Sequence, residues 1–279
     1  MMDSTSLQQF RADVIARKSL PTIPPVLTGI IALIDDDRAG AKKLVELIER
    51  DQALTARLLR LANSAFFGQA RKVSTIPRAV LLLGFSTVRN LALGVKVWDT
   101  LGTGVSRREL EALWTHAVQV AAAARVIARQ QRQVNADEAF TTGLLHDVGQ
   151  LVLALRFKEI YWDTVRKATS TEHLPGLEQS TLGVDHAEVG SWLLEAWNLP
   201  ALMVEAVRRH HEQDVRTGLA GAIAASSRLA HRTDFGTGTI SDDGLAILEA
   251  TGLTPENWQA AVVEVQQNTA LLSLVESTA

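Results

Sequence analysis

Apolar residues recur at helical spacing along almost the whole chain, and nowhere does apolar–polar alternation persist long enough to support a sheet. Leu54, Leu58, Leu61 and Ala65 fall at i, i+4, i+7 and i+11, which makes one buried stripe on one helix. The expected fold is therefore all α. Its helix starts are marked by capping pairs in which a Ser, Asn or Asp stands three positions before a glutamate: Ser106 with Glu109, Asn135 with Glu138, and Asp185 with Glu188. These pairs predict helices near 107–131, 136–148 and 186–197, and Pro200 opens another near 200–212. Further helices are expected near 218–231 and 255–276. Upstream, Asp51 is positioned to cap the Leu54 helix, Ser74 or Thr75 to cap a helix ended by Gly84, and Ser86 to start the next one. The prolines of "LPTIPP", Leu20 to Pro25, stiffen an extended approach to the helix through Ile30 and should hold it against the bundle.

With 279 residues, 47% of them apolar, the chain can bury one large core or two smaller ones in series. The segment "DTLGTGVSRRE", Asp99 to Glu109, is the best boundary, which predicts subdomains over 1–105 and 106–279. A net charge of -3 gives no reason to expect nucleic acid as a partner. The N-terminal stretch lacks the apolar core of a signal peptide, and the most apolar region, Ala79 to Trp98, is interrupted by Arg89 and Lys96. No membrane association and a cytoplasmic location are expected. Trp192 and Trp197, five apart on one predicted helix, read as core residues rather than a base-stacking platform.

Against that apolar background, "GLLHDVGQLVL" places His146 and Asp147 side by side between Leu145 and Val148. His116 lies on the stripe Leu113, His116, Val120, Ala123 and Ile127. His186 opens a helix whose buried face continues through Val189, Leu193 and Trp197, and His210 and His211 extend the face of Met203 and Val207. His173 and His231 fit no stripe. Any one of these imidazoles alone is most simply a core side chain bonded to a backbone carbonyl. Burying several with a carboxylate costs several kcal/mol unless they share a partner, and a divalent cation is such a partner. With no cysteine in the chain, the ligands must be His, Asp or Glu, a set that suits Fe, Mn, Zn or Ni.

The motifs "LPTIPPV", "LIERDQALTARLLRLANSAFFG", "STIPRAVLLLG", "WTHAVQVA", "GLLHDVGQLVL", "DHAEVGSWLLEAWNLP" and "AVRRHHE" occur in this order over residues 15 to 230, and this resembles the HDOD proteins, a bacterial signalling family related to HD-type phosphohydrolases. The resemblance implies an N-terminal helical subdomain packed on an HD-like one. It also implies that His116, His146, Asp147, His186 and one or both of His210 and His211 match metal-ligand positions. Related hydrolases carry a further aspartate on the helix after the double histidine, where this chain has Ser226 and Ser227; Asp214 and Asp234 are the nearest substitutes. Cyclic-di-GMP phosphodiesterase relatives carry Gly-Tyr-Pro after "HHE", and this chain reads "HHEQDVRTG". No catalytic residue is therefore assigned. The expected role is a regulator or scaffold acting through other signalling proteins, and the alternative is a metal-dependent phosphohydrolase of a nucleotide or cyclic dinucleotide.

Overall fold

Asp51 accepts the Leu54 N–H at 3.0 Å, and this cap opens the helix that the leucine stripe predicts. The structure is a computed structural model that describes residues 4–16, 21, 23–33, 40–63, 72–131, 134–170, 172–212, 214–215, 217–234 and 239–266. It is all α except for a two-residue antiparallel ladder pairing Thr233 with Ile240 and Asp234 with Thr239. The N-terminal part comprises α1 (Ser4–Ile15), α2 (Pro25–Ile31), α3 (Gly40–Glu49), α4 (Gln52–Ala62), α5 (Ile76–Leu83) and α6 (Phe85–Leu101). The remainder comprises α7 (Arg107–Gln131), α8 (Ala136–Leu145), α9 (Val148–Phe157), α10 (Glu159–Lys167), α11 (Leu174–Leu182), α12 (His186–Ala196), α13 (Ala201–Arg209) and α14 (Gly218–Arg232). After β1 (Thr233–Asp234) and β2 (Thr239–Ile240) come α15 (Asp242–Thr251) and α16 (Pro255–Gln266).

Leu54, Leu58 and Leu61 are buried as the stripe predicts, and Ala65 lies outside the described residues. Leu58→Ala should lower the unfolding free energy by about 2–5 kcal/mol, since a buried leucine is deleted and a cavity remains. An unchanged denaturant midpoint would place the stripe on the surface instead. Thr75, not Ser74, caps α5, by accepting the Arg78 N–H at 3.3 Å, and Gly84 ends that helix. Helix α6 then starts at Phe85 directly after Gly84 with no side-chain cap, so Ser86 lies inside its first turn. Ile23 and Val26 pack against the core, while Leu20 and Thr22 fall outside the described residues.

The predicted boundary segment is mostly helical: Asp99 to Leu101 belong to α6 and Arg107 onward to α7, leaving a turn at 102–106. Asp99 accepts an ion pair from the buried Arg57 of α4, which fastens α4 to α6. Trp98 crosses the turn: its Nε1–H donates to Leu144 O at 2.8 Å, and its ring meets Trp114 edge-on at 5.3 Å. One apolar cluster therefore runs from Phe10 to Ile223 through both halves. Helix α1 packs on α12, with Phe10 5.6 Å from the Phe157 ring and 6.2 Å from the Trp192 ring. Trp192 and Trp197 are both buried, in keeping with their reading as core residues.

Helix α7 is the axis of the second half. Its buried face is rich in alanine, and short side chains let neighbouring backbones come close. A Cβ on Gly143 of α8 would stand 2.6 Å from Ala121 Cα, so this contact admits only glycine. On the far side Ala222, Ala225 and Leu229 of α14 meet Ala123 and Ile127, with Leu248 and Trp258 closing a second, smaller cluster. Among the described residues no helix is long and apolar enough to cross a membrane.

Candidate metal centre

The helix predicted over 136–148 stops at Leu145. His146 and Asp147 form a turn, and α9 restarts when Gln150 N–H donates to Asp147 O at 2.9 Å. This break aims Asp147 at the interior instead of along a helix face. Similarly, the helix predicted over 200–212 ends at Arg209, which leaves His210 and His211 in the following turn. Both breaks use one device. His146 Nδ1 lies 2.8 Å from Gly143 O, and His210 Nδ1 lies 2.6 Å from Val207 O. Each ring donates Nδ1–H to a carbonyl that the helix end leaves unpaired, and its Nε2 lone pair then faces inward.

These lone pairs converge on Asp147. His186 Nε2 lies 3.2 Å and His210 Nε2 3.4 Å from Asp147 Oδ1. His146 Nε2 lies 3.3 Å and His116 Nε2 3.7 Å from Asp147 Oδ2. His211 Nε2 is 2.8 Å from His186 Nε2. All six residues predicted from the sequence thus share one site, as two overlapping groups: Asp147, His186, His210 and His211, and His116, His146 and Asp147. His146, Asp147, His186 and His210 are buried, while His116 and His211 are partly exposed. The buried atoms His146 Nε2, His210 Nε2 and Asp147 Oδ1 have no hydrogen-bond partner. Buried polar atoms left without partners are costly, and a cation among them removes that cost. The residues therefore fit a divalent ion.

The electrostatics suit such a site. Burial, which disfavours the imidazolium, holds His146 down to about 4 and pushes His116 and His211 well down too, so these rings are neutral and ligand-ready. Burial alone would raise the Asp147 carboxyl, but the surrounding imidazoles outweigh it and hold the group well below the usual carboxylate range. Burial likewise works against the His186 imidazolium, yet Glu178 and Asp147 on either side hold its pKa well above the ordinary value.

Four neighbours escape the stripe reading. The His231 ring stacks on His116 at 4.2 Å with 19° between planes. Glu178, fully buried, faces His186, and Tyr161 and Gln150 stand beside them. Spacing does carry two of these signals: Leu174, Glu178 and Leu182 form a stripe at i, i+4 and i+8, and so do Ile223, Ser227 and His231. His173 lies outside the cluster, 3.1 Å from Thr169 Oγ1 through Nδ1. Asp214 is exposed and 3.9 Å from Arg209, also away from the cluster.

A curated relative, an uncharacterized protein of Treponema pallidum (strain Nichols), is 28% identical over 194 residues, and the match spans 69% of this chain but only 37% of that protein. A solved HDOD domain protein of unknown function from Geobacter sulfurreducens superposes with a TM-score of 0.70 at 25% identity, covering 97% of this chain and 98% of that one. The MmoQ response regulator of Methylococcus capsulatus gives a TM-score of 0.50 at 29% identity, covering 87% and 97%. A Shewanella amazonensis protein named as a candidate phosphohydrolase gives a TM-score of 0.69 at 23% identity over 95% and 98%, a likeness of fold. The HDOD domain family itself matches residues 20–213, and with its motifs, helical architecture and histidine–aspartate cluster in place, the chain belongs to that family.

Proposed function

We propose that this protein is a regulatory signalling module that acts through protein partners, holds no more than one divalent ion firmly, and does not hydrolyse phosphodiesters. The observation that carries this reading is the charge of the donor set. Among the described residues Asp147 is the single carboxylate in either ligand group. Phosphodiester hydrolysis commonly uses two ions to generate the nucleophile and to stabilise the developing charge. One carboxylate among imidazoles leaves the four positive charges of two such ions largely uncompensated. Ser227, where the resemblance expects an aspartate, is buried on α14 and supplies no charge. A lone ion would be held either by Asp147, His186, His210 and His211 or by His116, His146 and Asp147. Once bound, it would neutralise Asp147 and act as a Lewis acid. Fe, Mn, Zn and Ni all suit such donors.

The likeness to a response regulator supports the signalling half of the proposal. The division near residue 105 belongs to it as well, with the 1–105 subdomain presented to partners and the HD-like subdomain keeping the cluster. The phosphohydrolase reading draws on the five imidazoles gathered around Asp147. Metal analysis of the purified protein, combined with a screen of phosphodiester substrates, separates the two. We expect at most one equivalent of metal and no turnover, and Ser227→Asp should tighten metal binding before any turnover appears. Robust hydrolysis that chelation abolishes and Asp147→Ala lacks would overturn the regulatory reading.

A further inference from the structure

We infer that Glu178 is a positioning residue for the cluster: it holds the His186 ring with Nε2 towards Asp147, and through its other oxygen it begins a line of buried polar side chains that leads back to that carboxylate. This inference rests on the metal-binding reading above. Glu178 Oε2 stands 2.6 Å from His186 Nδ1 and 2.9 Å from the His186 backbone N–H. Because the same oxygen receives both the ring and the first N–H of α12, the ring cannot turn over without giving up its acceptor. Its Nδ1 carries a proton, and Nε2 points at Asp147 Oδ1, 3.2 Å away.

From the other oxygen the line returns to Asp147. Glu178 Oε1 is 3.1 Å from the Tyr161 hydroxyl, which is 3.0 Å from Gln150 Oε1, and Gln150 Nε2–H donates to Asp147 Oδ2 at 2.8 Å. Glu178, Tyr161, Gln150, His186 and Asp147 are all buried and come from α9, α10, α11, α12 and the turn before α9. A carboxylate between Leu174 and Leu182 is a costly way to fill a core, so packing alone does not account for it. A partner at the distal nitrogen of a metal-bound imidazole fixes its orientation and raises its basicity, and losing such a partner typically weakens metal binding about 10–100-fold.

Glu178→Gln provides the test because it keeps the shape and removes the charge. Its amide oxygen can still accept from His186, and its NH2 can donate to Tyr161, whose own proton then goes to Gln150, so the metal-free fold should be retained. Zinc titrated into metal-free wild type and variant, against a chromophoric chelator, should show affinity lowered about 10–100-fold with unchanged metal-free melting. The second readout needs no metal: proton NMR of the wild type should show a slowly exchanging proton on His186 Nδ1, and Glu178→Leu should lose it. Wild-type zinc affinity in Glu178→Gln, or absence of the Nδ1 proton from the wild type, would overturn the inference. Should no form of the protein take up zinc, the metal reading falls, and the Nδ1 proton by itself decides whether Glu178 positions the ring.

Discussion

Asp147→Ala should remove measurable metal binding and lower the stability of the metal-free protein by about 3 kcal/mol. Asp147 faces both ligand groups, so its loss takes the one negative charge from each. In the metal-free fold the same carboxylate accepts from Gln150 and lies against His186, and removing one partner of a buried ion pair typically costs about 3–5 kcal/mol. The lower end is expected because Glu178 still faces the His186 imidazolium. Sign and pH dependence can be checked together. A histidine whose folded pKa is raised adds stability that is complete below its unfolded value, about 6.5, and is lost as pH rises through the folded value. Metal-free wild type should therefore lose this contribution on the alkaline side, and Asp147→Ala should show a shallower loss. Urea titrations at stepped pH, with chelator present, measure both; equal slopes would mean that Asp147 and His186 do not interact.

Among the described glycines, Gly149→Ala should be the most damaging added methyl. A Cβ there would stand 1.9 Å from His186 O and 2.7 Å from Gly190 N, where α9 crosses α12 backbone to backbone. Overpacking usually costs about 1–3 kcal/mol when side chains can yield. Here the obstacle is main chain, so more than about 3 kcal/mol is expected, along with weaker metal binding as His186 is driven away from Asp147. Gly176→Ala on α11 is the control, since nothing lies within 4 Å of its added Cβ and alanine favours a helix by about 1 kcal/mol. Similar stabilities for the two variants would show that α9 and α12 do not meet at these glycines.

The helical class, most caps and all six cluster residues are legible in the sequence, because each leaves a local trace: a stripe, a capping pair, or a polar group in an apolar run. Helix α9 leaves none. Its residues from Val148 to Ala154 are all buried, so it has no polar face to create periodicity. The ends of α8 and α13 are misplaced because the turns at His146 and His210 are held by ring-to-carbonyl bonds and by the cluster itself, which spacing does not register. His231 follows His116 through the packing of α14 on α7, and Glu178 follows His186 through that of α11 on α12; both are relations between distant segments. Likewise, Asp214 is a plausible substitute by proximity in sequence and an unsuitable one by exposure.

The placement of α1 on α12, and of α14 on α7, bears on where the protein can be cut. The family match spans residues 20–213, yet Phe10 and Val14 lie before it, and Ile223 and Leu229 lie after it in the apolar interior. A fragment trimmed to the matched region would uncover Trp192 on one side and the alanine face of α7 on the other. The unit that is recognised by likeness is therefore smaller than the unit that folds, and a fragment that keeps α1 and extends through α16, whose Trp258 closes the second cluster on α7, is the shortest one expected to keep its histidines in register.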